Sequence, residues 1–204
     1  MSDQSPCNLH PDLELDRVRL IGKIIKDARN GARLEHNSKA GDTGWSSSCR
    51  EFSWAWQRLL GAAGTKGYEW LSTIDSSIHY VGAIGSVPFR FYRGDSKKPK
   101  NKFIEEKFSQ RQQFNLDLGA VPAHQDLIFL FAAETDATGV TERVIFAAVQ
   151  PNGHVVSSID ATSDAPIPAI APIHLPEESG VELGAAKVSG KRKKQKKTAN
   201  GDTH

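Results

Sequence analysis

The chain has 204 residues, with 26 Lys and Arg against 24 Asp and Glu and 38% hydrophobic residues. With a mean hydropathy of −0.44, this composition fits one globular domain and argues against a disordered or membrane-embedded chain. No run approaches the roughly 18 apolar residues a membrane span needs, and residues 1–11 lack the apolar stretch of a signal peptide. Cys7 and Cys49 are the only cysteines and no N-x-Ser/Thr site occurs, so a reducing cytoplasm is expected rather than a disulfide framework.

The first predicted element is a helix over residues 13–34. Val18, Ile21, Ile25, Ala28 and Ala32 recur at helical spacing, and Leu20 and Ile24 widen the stripe. Asp12, Glu14 and Asp16 lie at its N-terminal end and Lys23, Lys26, Arg29 and Arg33 follow, a polarity that suits the helix dipole. After a Gly-, Ser- and Asp-rich loop, Ser48-Cys49-Arg50-Glu51 reads as a capping box for a second helix. Phe52, Ala55, Trp56 and Leu59 share its apolar face, and Gly61 and Gly64 end it. Three of the four tryptophans lie within residues 45–56 and read as a core aromatic layer. A short third helix is expected over 68–74.

From Ser77 the apolar period changes from 3.6 to 2. Residues 77–84 and 87–93 form a hairpin around a Gly85-Ser86 turn of type II′. Val87, Phe89 and Phe91 point to one side, Arg90 and Tyr92 to the other, and Pro88 suggests a sheet edge or a bulge. A charged loop, 95–101, leads into a predicted helix over 102–118, with Phe103, Phe114 and Leu118 on one face. Strands at 127–134, 142–150 and 154–160, separated by turns at 136–139 and 151–153, read as an antiparallel meander. The expected fold class is therefore α+β: N-terminal helices packed on an antiparallel sheet of a hairpin plus a three-stranded meander. The expected division is a flexible N-terminus (1–11), one α+β domain (12–160), a linker that is Pro-rich and then acidic (161–190), and a disordered basic tail (191–204).

Charge is distributed unevenly. Residues 1–160 carry 19 cations and 19 acids, whereas 191–197 hold six cations in seven positions: Lys191, Arg192, Lys193, Lys194, Lys196 and Lys197. Within the domain, residues 90–111 contain eight cations against three acids. An arginine, an aromatic ring and several lysines at one sheet edge suit a phosphate backbone with a stacked base. Arg90, Tyr92, Arg93, Lys97, Lys98, Lys100 and Lys102, together with the tail cations, are thus the candidate nucleic-acid-binding residues.

Catalytic candidates are few. His79, Glu134, Asp136 and His154 lie on predicted strands or strand ends, where an acid, a histidine and nearby cations could assemble a nuclease-like hydrolase. Cys7-x-x-His10 has no second pair, so no metal is expected; there is no phosphate-cradling glycine loop, and no cofactor is expected. The body resembles the small proteins found among bacterial mobile elements and defence loci, and no motif in it names a family. The leading expectation is a cytoplasmic, non-catalytic nucleic-acid-associated accessory protein of that kind, with DNA or RNA as partner. The alternatives are a protein-interaction subunit (an antitoxin, immunity or assembly factor) and the small hydrolase. No membrane partner is expected.

Overall fold

The computed structural model describes residues 5–99 and 127–163. After a 3-10 turn at Pro6–Leu9 come α1 (Leu15–Leu34), a second 3-10 turn (Ser38–Ala40) and α2 (Gly44–Ala62). Six strands follow: β1 (Leu71–Asp75), β2 (Val81–Ile84), β3 (Val87–Arg93), β4 (Ile128–Thr135), β5 (Thr141–Val149) and β6 (Val155–Asp160). The strands lie in one sheet in chain order. The class is α+β, as expected, but the sheet is mixed. β3 and β4 run parallel, while every other neighbouring pair is antiparallel. A parallel pair needs a connection of about a dozen residues or more, and the 34 residues from 94 to 127 provide one. The predicted helix at 102–118 and the predicted linker and tail after 163 lie outside the described residues.

α1 buries the stripe its sequence spaces out: Val18, Ile21, Ile25, Ala28 and Ala32 are all fully buried. Val18, Ile21, Ile25 and Ala28 share one core with Phe89, Phe91, Phe129, Phe131 and Phe146 from the sheet, and Ala55 and Leu59 from α2. At Gly22 the helix packs tightly. A Cβ there would lie 2.6 Å from both the Cβ and the carbonyl oxygen of Ala161, which follows β6. Alanine is the better helix former by about 1 kcal/mol, but overpacking typically costs about 1–3 kcal/mol, and the obstacle includes backbone. Gly22→Ala is therefore expected to lower the urea midpoint of unfolding; a raised midpoint would mean that the α1–β6 contact yields.

Three local expectations are corrected. α2 starts one turn before the predicted box: Thr43 is the N-cap, its Oγ1 accepts from the Ser46 amide, and Ser46 Oγ accepts from the Thr43 amide. Glu51, expected to cap the helix, is instead fully buried within it. Residues 71–75 form an edge strand rather than a helix; turn-like bonds from Tyr68 to Thr65 and from Leu71 to Tyr68 imitate a helical start, but pairing with β2 takes the segment over. β2 begins only at Val81, because the Asp75 and Ser77 side chains accept the Ser77 and His79 amides and hold a turn.

The β2–β3 hairpin turns at Gly85-Ser86 as expected, with Gly85 at φ +55. The Asp12 carboxylate fastens that turn to the start of α1, accepting from the amide and hydroxyl of Ser86. Pro88 is not on an edge, since β3 is flanked on both sides. It pairs with Ala83 of β2, and the ladder to β4 begins only at Phe89, so its missing N–H falls outside that ladder. The outer face of β3–β5 is apolar too. Tyr92, Ile128, Leu130, Ala132, Ala147 and Val149 form a second buried cluster, the pattern of strands covered on both sides.

Candidate functional site

Because β3 and β4 are parallel, their carboxyl ends finish side by side, with Arg93 opposite Ala133. An open cleft of about 650 Å³ lies there. Arg93, Gly94, Asp95 and Lys97 line it from the β3 end, and Glu134, Thr135 and Arg143 from β4 and β5. The loop beyond β3 is tied down over the sheet. The Gly94 amide donates to the Ala133 carbonyl at 3.1 Å, the Tyr92 hydroxyl to the Asp95 carbonyl at 3.0 Å, and the Ser96 amide to Glu134 Oε1 at 3.0 Å.

The β4–β5 register sets Glu134 opposite Arg143, and Arg143 Nε donates to Glu134 Oε2 at 2.6 Å. Burial opposes the Glu134 charge, but hydrogen bonds from Ser96 and Arg143 outweigh it and hold the carboxyl below the usual glutamate range. With Glu134 and Arg143 neutralising each other, Arg93 and Lys97 outnumber the one remaining acid of the cleft, Asp95. Neither has an ion-pair partner among the described residues. Arg93 Nη1 donates only to Ser48 Oγ, at 3.1 Å. The Lys97 amide donates to Asp95 Oδ1 at 2.8 Å, and its side chain is exposed. Such a cleft suits an oxyanion, because charged N–H donors bind phosphate or carboxylate oxygens strongly.

A second polar group lies behind Arg93, between α1, α2 and β5. Arg29 Nη2 donates to Glu51 Oε2 at 2.6 Å and Arg29 Nε to Thr141 Oγ1 at 3.1 Å. Arg33 and Ser47 donate to Glu51 Oε1 at 3.4 and 3.3 Å. Arg33 also donates to the Thr138 carbonyl. Burial lowers the pKa of the Arg29 guanidinium; Glu51 opposes this, and the like charge of Arg93 adds to it. Two arginines, Arg29 and Arg33, thus converge on one carboxylate, and Arg29 also feels the charge of Arg93.

The structure divides the candidate residues. Arg93 and Lys97 line the cleft, and Lys98 is exposed on the same loop. Arg90 and Tyr92 are only 5% and 4% exposed, so neither offers a face to a base. The expected stacking pair lies within the sheet's packing, because the second face of β3 is covered as fully as the first. Burial and the nearby carboxylates Asp95 and Glu134 also push the Tyr92 hydroxyl pKa up. Lys100, Lys102, Lys191, Arg192, Lys193, Lys194, Lys196 and Lys197 lie outside the described residues.

The catalytic candidates do not meet. Glu134 is in the cleft. Asp136 is spent on its turn, accepting from Thr138 Oγ1 at 2.7 Å and from the Val140 amide at 2.9 Å. His79 is exposed in the β1–β2 turn, at least two strand spacings from β4, or roughly 10 Å. His154 is exposed just before β6, at the opposite end of the sheet from the cleft.

Sequence reading missed Arg143 and Trp45. The 136–140 turn implies the Glu134–Arg143 register and was a usable signal. Aromatic clustering places Trp45 in the core layer, but it is 78% exposed; its place ahead of the apolar stripe of α2 accounts for this. Among the described residues, no His, Cys, Asp or Glu cluster could hold a metal ion, and no helix is long and apolar enough to cross a membrane. Against protein-family models, curated proteins and solved structures the chain finds no match, so the reading of its site rests on its own side chains.

Proposed function

We propose that the chain is a cytoplasmic, non-catalytic nucleic-acid-associated protein, of the accessory kind met among bacterial mobile elements and defence loci. It would grip the phosphate backbone through the 191–197 cations and through the rim of the β3–β4 cleft. The observation that carries this reading is the pairing of Arg93 and Lys97 in one open cleft, neither having an ion-pair partner among the described residues. A buried ion pair would have neutralised these charges; they face solvent instead, where a polyanion can reach them. The tail lysines would contact phosphates, which add affinity without reading sequence. A hydrolase has less support, because among the described residues no histidine meets Glu134 or Asp136.

The test is fluorescence anisotropy of a labelled 20-mer with the full chain, from about 50 to 200 mM salt. If about five phosphates are neutralised, log affinity falls against log salt with a slope of roughly −4 to −5. Replacing the six tail cations with glutamine should flatten the slope. Arg93→Ala with Lys97→Ala should reduce its magnitude by about two. An unchanged slope in that double variant would remove the cleft from the interface. Absence of binding to DNA and RNA at low salt would overturn the reading and bring forward the protein-interaction subunit.

A further inference from the structure

The cleft cations account for phosphate, but the buried Tyr92 leaves the base without a partner. Trp45 fits that role. It is the second residue of α2 and 78% exposed, while Trp54 is 36% exposed and Trp56 and Trp70 are half-buried. A single exposed apolar side chain is ordinary; the position of this one is what matters. Trp45 and Ser48 are three apart on α2, so their Cβ atoms lie roughly 5–6 Å apart on one helix face. Ser48 Oγ is the group that receives Arg93 Nη1 at 3.1 Å. The open indole and the guanidinium of Arg93, which has no ion-pair partner among the described residues, therefore flank one serine, and Arg93 and Lys97 both line the adjoining cleft.

We infer that Trp45 is a base-stacking residue and that the strand it engages is single-stranded nucleic acid, its phosphates held by Arg93 and Lys97. This rests on the nucleic-acid reading above and narrows it. A single strand exposes the faces of its bases and alternates them with phosphates, so a ring beside a cation meets both. A duplex hides those faces in its stack and presents only phosphates outward, leaving Trp45 idle. Aromatic stacking is tolerant of base identity because every base has a π-face, so the site selects strandedness rather than sequence. Charge complementarity favours a polyanion over an apolar protein partner, which would meet the cations Arg93 and Lys97 near the ring.

The test uses the full chain with labelled dT20 and with a 20-base-pair duplex at the same salt. Trp45→Ala should weaken dT20 binding by about ten- to a hundred-fold while leaving duplex binding and the dT20 salt slope unchanged. Arg93→Ala should lower the slope by about one on both ligands. Trp45→Phe, which keeps a ring, should bind dT20 within several-fold of the parent, and the quenching of tryptophan emission by dT20 should disappear in it. That variant carries the test even if Trp45→Ala proves unstable. If Trp45→Ala binds dT20 as tightly as the parent, or loses single- and double-strand binding equally, the stacking role is overturned and the nucleic-acid reading survives. If the parent chain binds neither ligand, both fall.

Discussion

Replacing Glu51 by alanine should cost about 3–5 kcal/mol of stability, the usual price of leaving a buried charge unpaired. Glu51 is 0% exposed and Arg29 2%. Their 2.6 Å contact joins α1 to α2, and through Thr141 Oγ1 Arg29 ties both helices to β5. Removing the carboxylate strands the Arg29 guanidinium in a site it cannot leave without unpacking α1. It also takes the acceptor from Arg33 and Ser47. Urea unfolding monitored by circular dichroism gives the loss. The double variant Glu51→Leu with Arg29→Met should recover most of it, since apolar residues of similar volume often replace a buried pair at little cost. A loss below about 1 kcal/mol in Glu51→Ala would mean that water reaches Arg29 and that the pair behaves like a surface one.

Phe131→Ala should cost a similar amount, about 3–5 kcal/mol, for a different reason: the cavity it leaves. Phe131 is fully buried at the middle of β4. Its ring meets Phe89 edge-on, with centroids 5.1 Å apart, and Phe146 at 4.7 Å. It is paired across both ladders, with Phe91 and with Phe146, so the neighbours have little freedom to collapse inward. Trp56→Ala should cost less, although sequence reading makes Trp56 a core residue. Trp56 is only half-buried, its ring stands off Phe52 by 6.4 Å, and its buried Nε1 has no hydrogen-bond partner among the described residues. Equal losses from the two variants, read from the same urea curves, would show that the α2 side of the core is as tightly packed as the sheet centre.

Elements whose periodicity is long and uninterrupted are legible in the residue pattern alone. The stripe of α1 and the three strands of the meander follow from spacing and turn residues, and so does the division of β3 into a Phe89–Phe91 face and an Arg90–Tyr92 face. Local pattern says which residues share a face. It does not say whether the second face is covered, and that is why Arg90 and Tyr92 looked accessible while the structure buries them. Nor does it fix pairing across a long connection. The parallel β3–β4 contact brings Arg93 and Glu134 to one end of the sheet, and no residue near either strand signals it. The strand at 71–75 was decided by hydrogen bonds from β2, which override the weak preference of a segment too short to be a stable helix alone. Charge followed the same rule. The excess of cations around residues 90–111 is plain from composition, but the folded contacts alone show that Arg143 is neutralised by Glu134, that Arg29 is paired with Glu51, and that Arg93 reaches Ser48 of α2 with no ion-pair partner among the described residues. Ion pairing depends on distances between segments far apart in the chain, and no local count contains them.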